Sequence, residues 1–260
     1  MGFGDFFSSA CDFVGGVISG VGSALSGGLS LICDGLNGIT RTIGDAIKTM
    51  CETLGSEGLG LIGCIAIALL IPGFGLPEIL ALIQVIGQLA KALDVGGEDS
   101  PEELGMKAEI ADRKPEDFDS IEEYIKYLNE DVELDTDAVE QLSEIDKAKY
   151  GAMGAALTIK AIEEKYNINL SPDFLRDITI MKLTGDEVAA YIEEFKENGI
   201  DKMQDMTDYL REKPINASKQ DVSESMLSVM KELYPELSNE QLEEKIIEMK
   251  DELMEVSIQE

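Results

Sequence analysis

The chain has 260 residues and a formal charge of −31, from 52 acids against 21 bases, and it contains no histidine. That length can bury the core of one large or two ordinary domains. The missing imidazole excludes Ser-His-Asp and Cys-His dyads and the usual zinc sites, and the charge repels phosphates, so no direct nucleic acid binding is expected.

The charge is unevenly placed. Residues 1 to 90 hold seven acids and two bases, so all but −5 of the −31 falls after residue 90. An apolar N-terminal part and an acidic C-terminal part follow, and any membrane contact is expected from the first, by apolar burial. The opening residues MGFGDFF lack the basic start and apolar run of a secretory signal, and Phe6 stands where a myristoylation motif wants Ser or Thr. No cleavable signal peptide is expected. Cys11, Cys33, Cys51 and Cys64 are widely and unevenly spaced, without a CxxC pair. They read as small buried hydrophobes, with a disulfide between neighbouring helices as the alternative.

Through residue 54 the pattern is helical. Val14, Ile18, Val21, Leu25, Ile32, Ile39, Ile43 and Ile47 recur at helix spacing, with no strand alternation. Between them Gly16, Gly20, Ala24 and Gly28 form a row at four-residue spacing, flanked by Gly15, Ser19, Ser23 and Gly27. Each glycine costs a helix about 1 kcal/mol relative to alanine, a penalty that close helix approach offsets. Such a zipper serves either oligomerisation and packing in a membrane or ordinary packing within the chain, where Gly27-Gly28 and Gly35 to Gly38 become turns.

Residues 59 to 90 form an apolar block whose one charge is Glu78. A spanning helix needs about 20 apolar residues. The arm from Leu59 to Ile71 supplies 13 and the arm from Glu78 to Leu93 supplies 16, with Gln84 and Gln88 on it. Between them lie Pro72, Gly73, Phe74, Gly75, Leu76 and Pro77, where proline removes a helix donor and glycine tolerates left-handed backbone. The prediction is a helical hairpin with Phe74 and Leu76 at its tip. Its pattern is similar to the central hairpin of colicin-type pore formers, which inserts when released from a soluble bundle.

At residues 96–100 a short linker is predicted, and residues 101–260 read as an acidic all-helical domain. Helices are expected over 101–113, 119–129, 136–166, 172–183, 185–198, 201–212, 219–233 and 239–256, with caps at Ser100, Ser171, Thr184 and Ser238. Gly151, Ala152, Gly154, Ala155 and Ala156 make one face of the third of these small enough to admit a close neighbour.

Asn129, Asp131, Glu133, Asp137 and Glu140 occupy positions 1, 3, 5, 9 and 12 of an EF-hand-like loop, but Leu134 stands where the sharp turn wants glycine. They are weak calcium candidates, read first as a solvated acidic loop. The segment MLSVMKELYPELSNEQLEEKIIEM, residues 226 to 249, resembles the opening two helices of a ubiquitin-binding CUE domain, with Tyr234-Pro235 in place of that family's Phe-Pro. The alternative is a plain helix-turn-helix with Pro235 in the turn. No phosphate-binding glycine loop occurs, since no Gly-Lys-Ser or Gly-Lys-Thr follows the N-terminal glycines.

The opening MGFGDFFSSACDFVGGVISGVGSALSGG resembles the glycine-rich amphipathic starts of phage virion proteins that are ejected into the host envelope. That resemblance, over about 50 residues, implies a protein stored in a particle and refolded at a membrane. The combined expectation is an all-α, non-enzymatic, membrane-active protein without catalytic residues or cofactor. Residues 1–95 engage lipid or partner chains as a homo-oligomer, in a membrane or a virion particle. The alternative is a structural component of a large assembly whose N-terminal module is buried by partners.

Overall fold

The computed structural model describes residues 76–135 and 139–257, and the regular elements among them are helical. In chain order they are α1 (Leu76–Ala92), α2 (Pro101–Ile110), a 3-10 turn (Pro115–Asp117), α3 (Ile121–Asp131), α4 (Glu144–Tyr166), α5 (Pro172–Ile180), α6 (Gly185–Glu197), α7 (Gln204–Leu210), α8 (Lys219–Leu233) and α9 (Asn239–Ser257). An isolated parallel bridge, Asn169 to Lys202, is the one extended pairing among the described residues.

The apolar pattern of α1 is a core pattern. Ile79, Leu82, Ile83, Ile86 and Leu89 recur at three- and four-residue spacing, and each is no more than 2% exposed. They are covered by α4 and α6, and they belong to the same hydrophobic cluster as Phe174, Ile192, Met206 and Leu253 far downstream. The core therefore continues across the predicted linker. Leu76 and Pro77, expected in the hairpin turn, instead form the first turn of α1. Proline has no N–H to lose at a helix start and its fixed φ suits the first turn, while Leu76 packs half-buried against the core.

The predicted linker folds into a tight, clamped turn. Gly96 and Gly97 take φ of 89° and 77°, a left-handed geometry that glycine adopts without a Cβ clash. A Cβ on Gly97 would also stand 2.7 Å from the Asn129 amide nitrogen. Asn129 Nδ2 donates to the Gly96 carbonyl at 2.8 Å, and Lys107 Nζ bonds Asp99 at 2.6 Å.

The small residues of α4 do admit a close neighbour, and it is α2. A Cβ on Gly154 would lie 1.9 Å from the Pro101 carbonyl oxygen, and one on Gly105 would lie 2.0 Å from that of Tyr150. A third contact joins α6 to α1, where a Cβ on Gly185 would lie 2.3 Å from the Leu89 nitrogen.

The caps stand where the sequence places them. Ser100 and Thr184 form reciprocal capping boxes with Glu103 and Glu187. The Ser171 hydroxyl accepts from the Phe174 N–H at 3.1 Å, and the Ser238 hydroxyl from that of Gln241 at 3.4 Å. Helices α2 and α5 end before their expected bounds, at Ile110 and Ile180, and α4 and α7 start after theirs. Residues 136–138 lie outside the described residues, and α4 starts at Glu144 because Ser143 caps it, its hydroxyl accepting from the Asp146 N–H at 3.2 Å. Helix α7 starts only at Gln204, because residues 201 and 203 bond Asn169: its N–H donates to the Asp201 carbonyl at 2.8 Å, and its carbonyl accepts from Met203 at 3.3 Å.

Two buried carboxylates hold the C-terminal helices in register. Asp177 on α5, fully buried, accepts from Arg211 Nη2 at 2.6 Å and Arg176 Nε at 3.2 Å, tying α5 to the end of α7. Asp205 accepts the N–H groups of Asn216 and Ala217, at 3.0 and 2.7 Å, and so fixes the approach to α8.

Candidate functional site

Gly16, Gly20, Ala24 and Gly28, and with them Pro72, Gly73, Phe74 and Gly75, lie outside the described residues. So does Asp137 of the calcium candidates. Asn129 and Asp131 sit in the last turn of α3. The Asn129 amide is spent on the Gly96 and Ile125 carbonyls, at 2.8 and 2.9 Å, so this residue acts in the clamp on the 96–100 turn. Asp131, Glu133 and Glu140 are exposed. Among the described residues no group of three or more Cys, Asp or Glu side chains is placed to hold a metal ion, and no helix is long and apolar enough to cross a membrane.

A concave site lies elsewhere. Between the end of α5, α6, α8 and α9 is a cleft of about 220 Å³. Its apolar lining comes from Met181, Leu183, Met230, Leu233 and Met249, and the Tyr191 ring also lines it. Each element contributes through its own amphipathic face. Helix α6 turns Val188, Tyr191, Ile192 and Phe195 inward, and Tyr191 is held edge-on against Phe195 with centroids 6.3 Å apart. Helix α8 does the same with Val222, Met226, Val229 and Met230, and α9 with Leu242, Met249 and Leu253.

The rim is polar and ordered by pairing. Glu187 accepts from the Thr184 N–H at 2.7 Å and its hydroxyl at 2.9 Å, and a short hydrogen bond joins it to the Tyr234 hydroxyl. Burial alone would raise the Glu187 pKa, but these donors, with Lys245 nearby, hold its carboxyl below the usual range. Its hydrogen bond and charge, with burial, push Tyr234 up to about 12. Lys245 Nζ stands 4.3 Å from the Tyr234 ring centroid, and Lys182 pairs with Glu252 at 3.3 Å.

Beneath this rim Tyr191 is the exception. Its hydroxyl is buried and has no hydrogen-bond partner. Burial, with Glu187 and Tyr234 beside it, pushes that hydroxyl above its ordinary pKa, so it stays protonated. Of the lining, sequence reading singles out the segment 226 to 249 with its Tyr-Pro turn, which holds Met230, Leu233, Tyr234, Lys245, Glu248 and Met249. The other residues come from the turn after α5, from α6 and from α9, spread over Met181 to Glu252, and no local spacing connects them.

No protein-family model matches the chain, and no curated protein and no solved structure matches it.

Proposed function

We propose that this is a non-enzymatic protein that acts at a membrane, as the likeness to ejected virion proteins implies. Residues before 76 are the attaching and oligomerising part, and residues 76–257 are an acidic folded body. The observation that carries this reading is the apolar, glycine-rich sequence before residue 76; the burial of Ile79, Leu82, Ile83, Ile86 and Leu89 by the chain's own helices takes α1 out of the inserting part, as expected of a latent form. A helix committed to the core is not available as an inserting arm unless the body opens. The glycine rows and the stretch from Leu59 to Ile71 are the part of the apolar sequence that this reading assigns to lipid. The acidic body, repelled by anionic headgroups, stands off the surface.

Liposome co-flotation of the full chain and of a chain lacking residues 1–75 tests it. The full chain is expected to float and the shortened one to stay in the soluble fraction. A full chain that stays soluble and releases no trapped dye sinks the reading. A soluble, monodisperse oligomer in detergent-free buffer would then support a structural component whose N-terminal part is buried by other copies.

A further inference from the structure

We propose that the outward face of α9 docks a basic amphipathic helix of another protein, with Ile247 and Met254 as its apolar contacts and Glu240, Glu243, Glu244 and Asp251 guiding it by charge. The proposal is independent of the membrane reading.

Exposure and spacing supply the first argument. Among the described residues three large hydrophobic side chains are exposed, Ile110, Ile247 and Met254. Single ones are ordinary on a protein surface. Ile247 and Met254, 55% and 40% exposed, differ because they lie two turns apart on one helix. They therefore share a face, about 10 Å apart along the axis. The core-facing row of α9 is Leu242, Met249 and Leu253. At about 100° per residue, Ile247 and Met254 stand roughly 130° around the helix from that row. Their side is turned away from α5, α7 and α8, on which α9 packs.

Charge names the partner. Glu240, Glu243, Glu244 and Asp251 flank the two apolar residues and are exposed, while both bases of α9 are engaged, Lys250 with Glu212 and Lys245 over the Tyr234 ring. A second copy of the chain would bring like carboxylates together across the contact, which sets partner choice against it. Anionic headgroups are repelled in the same way. Residues 1–75 hold only Arg41 and Lys48 as bases, too few to match four carboxylates. A helix with Lys or Arg beside apolar residues at three-, four- and seven-residue spacing matches both the apolar pair and its flanks. The excess of 52 acids over 21 bases in the chain also speeds the encounter with such a partner.

The test titrates the full chain, carrying isotope-labelled methionine methyl groups, with a peptide of about 15 residues that places leucines along one helical face and lysines on the others. Its controls are a peptide of the same composition with the leucines dispersed, and one with glutamate in place of lysine. The first peptide is expected to shift the Met254 methyl signal saturably and to bind at least about tenfold more tightly than either control. Ile247→Ser alters a side chain more than half exposed, so the urea midpoint stays in place while that peptide binds about tenfold more weakly. Equal binding of the dispersed peptide would reduce the contact to charge alone, and equal binding of the glutamate peptide would remove charge from it; either overturns the proposal. So does an unmoved Met254 signal, or an unchanged affinity in Ile247→Ser. Self-association of the chain that Ile247→Ser abolishes overturns it as well, by giving the face to a second copy.

Discussion

Gly154 on α4 meets the backbone carbonyl of Pro101 so closely that an added Cβ would stand 1.9 Å from its oxygen. The neighbour is backbone, and it cannot retreat without parting α2 from α4. Gly154→Ala is therefore expected to cost at least about 3 kcal/mol, the upper end for overpacked cores. Gly199 is the control: φ is 72° but nothing lies within 4 Å of its added Cβ, so Gly199→Ala loses only the left-handed backbone preference, about 1 kcal/mol. Urea denaturation of both variants checks the order, and a milder effect at Gly154 would contradict the close crossing.

The Asp177–Arg211 pair is buried on both sides, with side-chain exposures of 0% and 7%. Asp177→Ala takes the carboxylate from both the buried Arg211 and Arg176, so it is expected to destabilise by about 3–5 kcal/mol. Replacing both residues with apolar ones of similar volume, Asp177→Leu with Arg211→Met, should recover a large part of that loss, because the desolvation cost of the pair disappears with the pair. If the double variant is as unstable as the sum of its single changes, the pair is not the coupled unit the geometry describes.

Alkaline pH should loosen the α6–α8–α9 corner. The folded protein holds the Tyr234 proton more tightly than the unfolded chain, with a pKa pushed up from 10.0 to about 12 by the Glu187 hydrogen bond first and burial second. A raised folded pKa means that this stabilisation is complete below about pH 10 and is lost as pH rises from there through about 12. Burial moves Tyr191 and Tyr124 in the same direction, so the decline continues beyond that window. Urea midpoints measured across this range should fall for the unaltered chain and fall less for Tyr234→Phe. Identical slopes would remove Tyr234 from the account.

Much of this fold is written locally, and the cleft is not. Ser100, Ser171, Thr184 and Ser238 are legible as caps because a side-chain oxygen before a free N–H acts within three residues. The run from Gly151 to Ala156 is legible as a close crossing because small side chains leave a helix little else to offer. What cannot be read locally is which surface an apolar helix covers. Ile79 to Leu89 have the same pattern whether the neighbour is lipid or α4 and α6. The helix starts at α4 and α7 depend likewise on a competing cap at Ser143 and on a long-range pairing of Asn169 with Lys202. Tyr191 looks like any inward aromatic in sequence; its missing hydrogen-bond partner is a property of the assembled helices alone.

The place where the chain is cut should decide whether the body folds. A boundary drawn at the Gly96-Gly97 turn removes Ile79, Leu82, Ile83, Ile86 and Leu89 together, all of them at most 2% exposed. Each fully buried aliphatic side chain contributes about 1.5–3 kcal/mol, so five of them match the whole stability of an ordinary domain, about 5–15 kcal/mol. It also leaves open the groove on α4 and α6 and strips Gly185 of its backbone neighbour at Leu89. A chain beginning at residue 97 is expected to lose cooperative unfolding and to bind a dye specific for exposed apolar surface. A chain beginning at residue 76 keeps the core and should unfold in one transition. Circular dichroism through a urea gradient separates the two. A residue-97 chain that unfolds as sharply and as late as the residue-76 chain would mean that α1 is packed against the body without stabilising it.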